Sequence, residues 1–402
     1  MKIAVFSTKP YDRQFLDTAN AASRHQLVYY DARLTCDTVA LAQGFGAICV
    51  FVNDDLSRGI LEQLSSFGVR LVVLRCAGFN NVDVEAAREF GVTVARVPAY
   101  SPHAVGEHTF ALLLTLVRQT HRAFNRVREC NFSLDGLLGF NLSGKTMGVV
   151  GVGAIGSVVC EIAMGFGCRV IGYDPFASEQ SKRPDVDYGT LERLLEKSDI
   201  ITLHCPLDSS TRHMIGASAL KRMKPGAVLI NTSRGGVIDT RAVIDSLKKN
   251  RLGGLAIDVY EEEEELFFED LSREPILDDQ FIRLLTFPNV LVTGHQAFFT
   301  REALTEIAVT SLANVDEYLR TGMPLHPVAP DPAKARSLEH RPQCDGQDQN
   351  DGAGTKGRRR CASLRTRIDQ CNEDLEQHVG DDCAGQGERS QATIDGFQGQ
   401  PG

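Results

Sequence analysis

The sequence lacks the features by which several classes of protein are recognised. It has no basic excess, since 43 Lys and Arg against 52 Asp and Glu give a net charge of -9, and nucleic-acid binding needs a basic face. No apolar run approaches the ~18 residues that span a bilayer. The residues that follow Met1 lack the apolar segment and cleavage site of a signal peptide. These absences predict a cytoplasmic protein that binds neither nucleic acid nor membrane.

The 11 cysteines also lack a metal-binding pattern. No two of them are spaced as CxxC, so the sequence predicts no zinc site or other metal site. Cys49, Cys160 and Cys168 lie within apolar runs, which is typical of buried, reduced thiols.

The sequence does contain two series of short apolar runs that alternate with helical patterns. In residues 1–100 the predicted strands are Lys2–Ser7, Gln26–Tyr30, Ala47–Val52, Arg70–Leu74 and Thr93–Ala95. A long helix is predicted over Pro102–Arg128. The second series predicts strands at Thr146–Val150, Arg169–Tyr173, Ile200–His204, Ala227–Asn231, Gly254–Val259 and Val290–Val292, with a helix over Arg301–Leu319. This alternation predicts an α/β fold of two doubly wound, Rossmann-like parallel sheets.

The composition changes near Pro330. The remaining residues are rich in Gly, Gln, Asp, Glu and Arg, and Phe397 is their only aromatic residue. Such a segment cannot bury enough apolar surface to offset its ordering entropy. Residues 330–402 are therefore predicted to be a disordered tail, and a genuine extension, a read-through and a frameshift product all stay open as its origin.

The second series opens with a glycine motif that indicates a dinucleotide. Gly151, Gly153 and Gly156 form GxGxxG between a predicted strand and a predicted helix, so that a pyrophosphate can approach the helix N-terminus. Asp174 ends the next strand, where its carboxylate can accept hydrogen bonds from ribose hydroxyls and would repel the 2′-phosphate of NADP. The predicted cofactor is therefore NAD.

Three further groups follow later predicted strands. They are Arg234, the acidic run Glu261–Glu265 and His295, and parallel sheets bind ligands at the carboxyl ends of their strands. A histidine can donate the proton that a keto group needs on reduction, and a neighbouring carboxylate favours the imidazolium. Arginine offers paired donors to a substrate carboxylate. Each residue alone could equally be an ordinary surface or loop residue, and position cannot choose among the five acids.

At this point a family resemblance is clear over about residues 1–328. The chain resembles the D-2-hydroxyacid dehydrogenase family, and within it the bacterial fermentative D-lactate dehydrogenases. The stretches that carry the resemblance are Arg75–Asp83, Val97–Pro102, Gly151–Gly156, His204–Leu207, Asn231–Gly235, Asp258–Glu263 and Gly294–Phe298.

The resemblance implies roles for individual residues. The implied catalytic residues are Arg234, Glu263 and His295. The implied substrate-binding residues are Cys76, Ala77, Gly78, Phe79, Tyr100, Arg234, His295 and Phe298, with a loop that holds the substrate carboxylate by backbone amides at Cys76–Phe79. The implied NAD-contact residues are Gly151, Gly153, Ala154, Ile155, Gly156, Asp174, Cys205, Pro206, Thr211, Thr232, Ser233, Arg234 and Asp258. Thr211 stands where close relatives often carry Asn.

The family also implies a domain organisation and an assembly. A flavodoxin-like substrate domain would comprise residues 1–100 and 298–329, an NAD-binding domain residues 101–297, and a cleft would lie between them. The segment Pro102–Arg128 resembles the arm of the family's dimer interface, so a homodimer or homotetramer is expected.

The activity that the resemblance implies is NADH-dependent reduction of pyruvate to D-lactate. Other functions stay open beside it. Within the enzymes these are a hydroxypyruvate or glyoxylate reductase or another D-2-hydroxyacid dehydrogenase. Formate dehydrogenase fits less well, because that branch typically pairs its histidine with Gln. From another class, NAD-sensing corepressors share the fold and retain a similar triad.

Overall fold

The structure is a computed structural model that describes residues 1–178 and 180–328. In this part of the chain, two parallel β-sheets are connected by helices. None of the helices described here is both long and apolar enough to cross a bilayer. The predicted tail over residues 330–402 lies outside the described residues.

The first sheet has five parallel strands in the order β2-β1-β3-β4-β5. They are β1 (Lys2–Val5), β2 (Gln26–Tyr29), β3 (Ala47–Val50), β4 (Leu71–Leu74) and β5 (Thr93–Ala95). All residues of β3 and β4 are buried, as expected for central strands with helices on both faces. The strand order reverses between β1 and β3, which opens a crevice at their carboxyl ends.

Helices cover the first sheet on both faces. Helix α1 (Pro10–Ser23) and the C-terminal helix α11 (Arg301–Thr321) share an apolar core with β1, in which Leu16 and Leu312 are buried. Helices α2 (Arg58–Ser66) and α3 (Val84–Glu89) pack on the other face. The last helix of the chain therefore completes the core of the first sheet.

The second sheet has seven parallel strands in the order β12-β11-β10-β9-β6-β7-β8. They are β6 (Thr146–Val150), β7 (Arg169–Tyr173), β8 (Asp187–Tyr188), β9 (Ile200–Leu203), β10 (Ala227–Asn231), β11 (Leu252–Ile257) and β12 (Val290–Val292). Counted from β6, this is the Rossmann order 3-2-1-4-5-6 with one strand added at the edge. The order reverses between β6 and β9.

The remaining helices flank the second sheet. They are α4 (Pro102–Arg118), α5 (Thr120–Arg128), α6 (Ala154–Gly165), α7 (Leu191–Lys197), α8 (Ala217–Arg222), α9 (Thr240–Lys248) and α10 (Asp279–Leu285). Helix α4 begins with Pro102 after Ser101, whose hydroxyl accepts a hydrogen bond from the Ala104 N–H, and this cap satisfies one free donor of the first turn.

The predicted single helix over Pro102–Arg128 is wrong. Gln119 has a φ of +49° and ends α4 in the left-handed conformation, and α5 begins at the next residue. No glycine or proline signals this break. Nine residues of α4 are buried and none of α5, so the chain turns away from the core at Gln119.

Several predicted strand ends also differ from the structure. The strand predicted over Lys2–Ser7 ends at Val5, and Ser7 has a φ of +50°, which interrupts an extended strand. The strand predicted over Gly254–Val259 runs from Leu252 to Ile257. Strand β8 was not predicted, because two residues are too few to form an apolar run.

The packing of α11 supports the predicted grouping of residues 298–329 with residues 1–100, which stays a proposal. We predict that Leu312→Ala destabilises the protein by about 2–4 kcal/mol, because the side chain is only 5 % exposed in the core under β1. The free energy of unfolding is measured by urea titration followed by circular dichroism. Leu319→Ala is the matched control on the same helix, since Leu319 is 52 % exposed, and it should change stability by less than about 0.5 kcal/mol. Equal effects of the two substitutions would contradict the grouping.

Candidate active site

Residues that follow strands of both sheets line a cleft of about 1140 Å³. It lies at the carboxyl ends of the strands, where open α/β sheets bind ligands. The predicted site residues that line it are Ala77, Gly78, Phe79, Tyr100, Ile155, Cys205, Pro206, Thr232, Ser233, Arg234, Asp258, His295 and Phe298.

A histidine and a carboxylate form a pair at this cleft. His295 Nδ1 lies 2.9 Å from Glu263 Oε1, and both side chains are largely buried. The other oxygen of Glu263 accepts a hydrogen bond from the Tyr260 N–H at 2.9 Å. Because Nδ1 is engaged, Nε2 is the imidazole nitrogen left to act on a ligand.

The loop that carries His295 is held by a buried carboxylate. Asp258 accepts hydrogen bonds from Thr293 Oγ1 at 2.6 Å and from the N–H groups of Gln296 and Ala297 at 2.9 Å. Burial alone would raise the pKa of Asp258, but hydrogen bonds from His108, Thr293 and the Ala297 N–H bring it below its ordinary value. Asp258 therefore stays charged and fixes the loop in place.

Arg234 follows β10 on a turn that Asn231 organises. The amide of Asn231 donates to the Arg234 carbonyl at 2.8 Å and accepts from the Ser233 N–H at 3.0 Å. The guanidinium reaches across the cleft to the first sheet: a Cβ built on Gly78 would lie 2.3 Å from Arg234 Nη2. The absence of a side chain at Gly78 thus leaves room for the Arg234 guanidinium, which would have to shift if a Cβ stood there.

The loop Cys76–Phe79 presents free backbone donors beside that guanidinium. Among the described residues, none accepts a hydrogen bond from the N–H of Ala77, Gly78 or Phe79. Successive unpaired N–H groups form a site for an anion. Together with Arg234 they can bind a small carboxylate.

The glycine motif forms a second set of donors at the start of α6. Gly151 has a φ of +85°, and a Cβ on Gly156 would lie 2.0 Å from the Gly151 carbonyl oxygen. The N–H groups of Ala154 and Ile155 have no acceptor among the described residues. This turn fits a pyrophosphate at the N-terminus of a 12-residue helix.

Asp174 lies against the same turn. Its carboxylate accepts hydrogen bonds from the N–H groups of Val152 and Phe176, each at 3.0 Å. A carboxylate oxygen can accept more than one hydrogen bond. Asp174 can therefore also accept hydrogen bonds from the hydroxyls of a ribose whose phosphate occupies the turn.

Four predicted site residues serve mainly internal contacts. The Thr211 hydroxyl donates to the Pro206 carbonyl at 2.7 Å and accepts from the Asp208 N–H at 2.8 Å, so it closes a turn and does not line the cleft. The thiol of Cys76 lies behind its loop and donates to the Gly78 carbonyl. Glu263 does not line the cleft itself but contacts His295, which does. Asp174 contacts the backbone of Val152 and Phe176 beside the glycine turn.

The sequence analysis assigned no role to several charged or titratable residues of the cleft, among them His204 and Arg96. His204 lines it, and burial lowers the pKa of His204 to about 3, so the imidazole is neutral. Arg96 lines it from the end of β5. The signal that could have found both is position, since each follows directly on a strand.

The cleft therefore combines a carboxylate receptor, a histidine paired with an acid and a dinucleotide turn. Such a set can bind a small keto acid, deliver a proton to it and hold a nicotinamide cofactor. In residues 1–178 and 180–328 we find no group of three or more His, Cys, Asp or Glu side chains arranged for a metal ion.

Comparison with known proteins identifies relatives of this arrangement. The family described as D-isomer specific 2-hydroxyacid dehydrogenase, NAD binding domain, matches residues 110–297. A protein named 2-hydroxyacid dehydrogenase A from Aspergillus oryzae is 53 % identical over 323 residues, which is 79 % of this chain and 92 % of the relative. The D-lactate dehydrogenase of Escherichia coli is 49 % identical over 315 residues, which is 78 % of this chain and 96 % of the relative.

A solved structure shares the architecture. The D-lactate dehydrogenase of Aquifex aeolicus, in complex with NAD and lactic acid, superposes with a TM-score of 0.72 and 32 % sequence identity. The match covers 82 % of this chain and 100 % of that one. The fold of two parallel-sheet domains and the binding of NAD, both predicted from the sequence, are confirmed.

We predict that Gly156→Ala weakens NADH binding by about tenfold or more, because its Cβ would overlap the Gly151 carbonyl and displace the turn. The dissociation constant is measured by titration of NADH fluorescence. Gly165→Ala is the matched control in the same helix, where a Cβ meets nothing within 4 Å, and it should leave binding unchanged. Wild-type affinity in Gly156→Ala would show that the turn does not approach the cofactor.

Proposed function

Because this chain belongs to the D-isomer specific 2-hydroxyacid dehydrogenase family, we propose that it reduces pyruvate to D-lactate with NADH, reversibly. Membership makes it an NAD-dependent 2-hydroxyacid dehydrogenase, and the choice of pyruvate is the step that we propose. The observation that carries the proposal is the His295–Glu263 pair, which faces the same cleft as Arg234 and the free N–H groups of residues 77–79.

The proposed roles follow from these contacts. The N–H groups of Ala77, Gly78 and Phe79 and the guanidinium of Arg234 bind the substrate carboxylate, and Arg234 also polarises the keto oxygen. His295 Nε2 donates a proton to that oxygen as it becomes a hydroxyl, and takes it back in the reverse reaction. Glu263 stabilises the imidazolium and keeps Nε2 directed at the cleft.

The residues that would hold NAD surround the turn before α6. Gly151, Gly153, Ala154, Ile155 and Gly156 would contact the pyrophosphate, and Asp174 the adenosine ribose. NADH supplies the hydride that is added to the keto carbon. Residues proposed to line the remainder of the cofactor site are Cys205, Pro206, Thr232, Ser233 and Asp258, with Thr211 supporting their loop.

The aromatic lining supports a substrate with a small side chain. Phe79, Tyr100 and Phe298 line the substrate end of the cleft, and the rings of Tyr100 and Phe298 are 6.3 Å apart. We propose that these rings limit the space beside the keto carbon, which would favour a methyl group over a larger substituent. The name of the Escherichia coli relative agrees with this choice, whereas the Aspergillus oryzae relative is named only as a 2-hydroxyacid dehydrogenase.

We also propose that the protein forms a homodimer or homotetramer. The segment 119–140 leaves several large apolar side chains exposed: Phe124, Val127, Phe132, Leu134 and Leu138. Several large exposed apolar side chains within one segment are typical of a protein–protein interface. Sedimentation velocity at micromolar concentration would refute the proposal by giving the mass of a monomer. The cytoplasmic location stays a prediction.

Among small 2-keto acids, we expect pyruvate to give the highest kcat/KM, because its carboxylate and methyl group match the donors and rings of the cleft. The measurement is NADH oxidation with pyruvate, hydroxypyruvate, glyoxylate, phenylpyruvate and 2-ketobutyrate, with chiral chromatography of the product. Preference for hydroxypyruvate or glyoxylate would support the reductase alternative. Absence of turnover with every acid would contradict the proposed function.

A pair of histidine variants tests the proton donor in the same assay. His295→Gln should lower kcat by about 10²–10⁴-fold, because the proton source is lost, while the affinity for NADH is retained. His213→Gln is the matched control, since His213 also lies in a left-handed loop and pairs with a glutamate, Glu261, outside the cleft. It should change kcat by less than roughly twofold.

We predict a strong preference for NADH over NADPH, because the charge of Asp174 repels a 2′-phosphate. The double variant Asp174→Asn/Phe176→Arg should raise kcat/KM for NADPH relative to NADH by at least about tenfold. Phe176 is chosen because its side chain is exposed. Phe176→Arg alone is the control and should leave most of the preference in place. Equal use of both cofactors by the unmodified protein would contradict the role of Asp174.

A further inference from the structure

Every carbonyl of the loop Cys76–Phe79 is held by a donor from the protein. The Cys76 carbonyl accepts from the Val97 N–H at 3.2 Å and the Phe79 carbonyl from the Val82 N–H at 3.1 Å. The two carbonyls between them are held by side chains. Arg96 Nη1 donates to the Ala77 carbonyl at 2.9 Å, and the Cys76 thiol donates to the Gly78 carbonyl at 3.2 Å.

These two side-chain contacts determine the direction of two N–H groups. In a trans peptide the C=O of one residue and the N–H of the next are coplanar and point in opposite directions. A bond that holds the Ala77 carbonyl on one side therefore directs the Gly78 N–H to the other side. The bond to the Gly78 carbonyl does the same for the Phe79 N–H. Both of these N–H groups lack an acceptor among the described residues.

Arg96 is fixed at its backbone independently of its side chain. Its N–H donates to the His326 carbonyl at 3.1 Å, and its carbonyl accepts from Asn314 Nδ2 at 3.1 Å. The guanidinium carbon lies 5.1 Å from the centre of the Phe79 ring, within range of a cation–π contact. The side chain thus connects the Ala77 carbonyl and the Phe79 ring, and its replacement leaves the backbone anchors in place.

The thiol of Cys76 is suited to act as a donor. Burial raises the pKa of Cys76 to about 12, so the sulfur keeps its proton at neutral pH. Gly78 also lies directly against the Arg234 guanidinium across the cleft. A rotation of either peptide plane would turn a carbonyl oxygen toward the site of the substrate carboxylate and repel it.

We propose that Arg96 and Cys76 are positioning residues, which orient the Ala77–Gly78 and Gly78–Phe79 peptide planes so that their N–H groups receive the substrate carboxylate. Neither side chain needs to touch the substrate. The inference rests on the proposed function in one respect, namely that a keto-acid carboxylate binds at this loop.

The test measures the KM for pyruvate, kcat, and the affinity for oxamate, a carboxylate analogue that is not reduced. Arg96→Met and Cys76→Ala should each raise the KM for pyruvate and the dissociation constant for oxamate by about tenfold. The dissociation constant for NADH should be unchanged, and kcat should fall much less than KM rises. Oxamate binding is followed by isothermal titration calorimetry with NADH present, so it needs no turnover. Arg96→Lys and Cys76→Ser restore a donor and should recover part of the loss.

Matched controls remove the same kinds of contact elsewhere. Arg251 Nη2 donates to the Met223 carbonyl at 2.8 Å and the Cys168 thiol donates to the Leu142 carbonyl at 3.3 Å, and neither residue lines the cleft. Arg251→Met and Cys168→Ala should leave the KM for pyruvate and the dissociation constant for oxamate unchanged, whatever their effect on the melting temperature.

Three results would overturn the proposal. If Arg96→Met impairs oxamate binding and Cys76→Ala does not, Arg96 acts through its charge on the ligand and not through the peptide plane. If both variants bind oxamate like the wild type, neither residue positions the loop. If the wild type itself binds no oxamate, the loop is not a carboxylate receptor. Oxamate binding by the wild type without turnover of any keto acid would instead contradict the proposed function alone.

Discussion

The geometry of the cleft depends on the carboxylate of Asp258, which is fully buried just beyond the end of β11. Its oxygens accept hydrogen bonds from Thr293 and from the N–H groups of Gln296 and Ala297, and its carbonyl accepts from the His295 N–H. These bonds hold His295 at a φ of +52°, a conformation that non-glycine residues rarely adopt. Without these hydrogen bonds, the buried carboxylate of Asp258 would have no donors to stabilise its charge. The loop would then no longer hold His295 in contact with Glu263.

A second constraint is electrostatic. The protein has a net charge of -9, yet its proposed substrate and its cofactor are both anions. Its cleft offers local donors: the free N–H groups of residues 77–79, those at the start of α6, and Arg234. Backbone donors act over a few ångströms, whereas exposed charges are largely screened beyond ~8 Å at physiological ionic strength. The distribution of donors therefore matters more for binding than the overall charge of the chain.

The acidic run Glu261–Glu265 shows where sequence reasoning stopped. Five like residues in succession carry no pattern that selects one of them, and the family resemblance alone pointed to Glu263. In the structure the chain turns there, so that Glu263 contacts His295 and the Tyr260 N–H, whereas Glu261 pairs with His213 and accepts from Thr240. Nor does the sequence alone indicate that Arg96 and His204 lie at the cleft. Their positions there depend on how the strands before them are arranged in the two sheets.

The sequence by itself determined the two parallel sheets, the glycine turn and the acid that follows it, because these depend on local apolar periodicity and on short-range spacing. It also determined that Arg234 and His295 follow strands. Only the tertiary structure decided that α4 ends at Gln119 and that α11 packs on the first sheet. It also decided that side chains donate hydrogen bonds to carbonyls of the loop Cys76–Phe79. These features arise between residues distant in the sequence or from backbone angles that no residue type prescribes. They are fixed only when the whole chain packs.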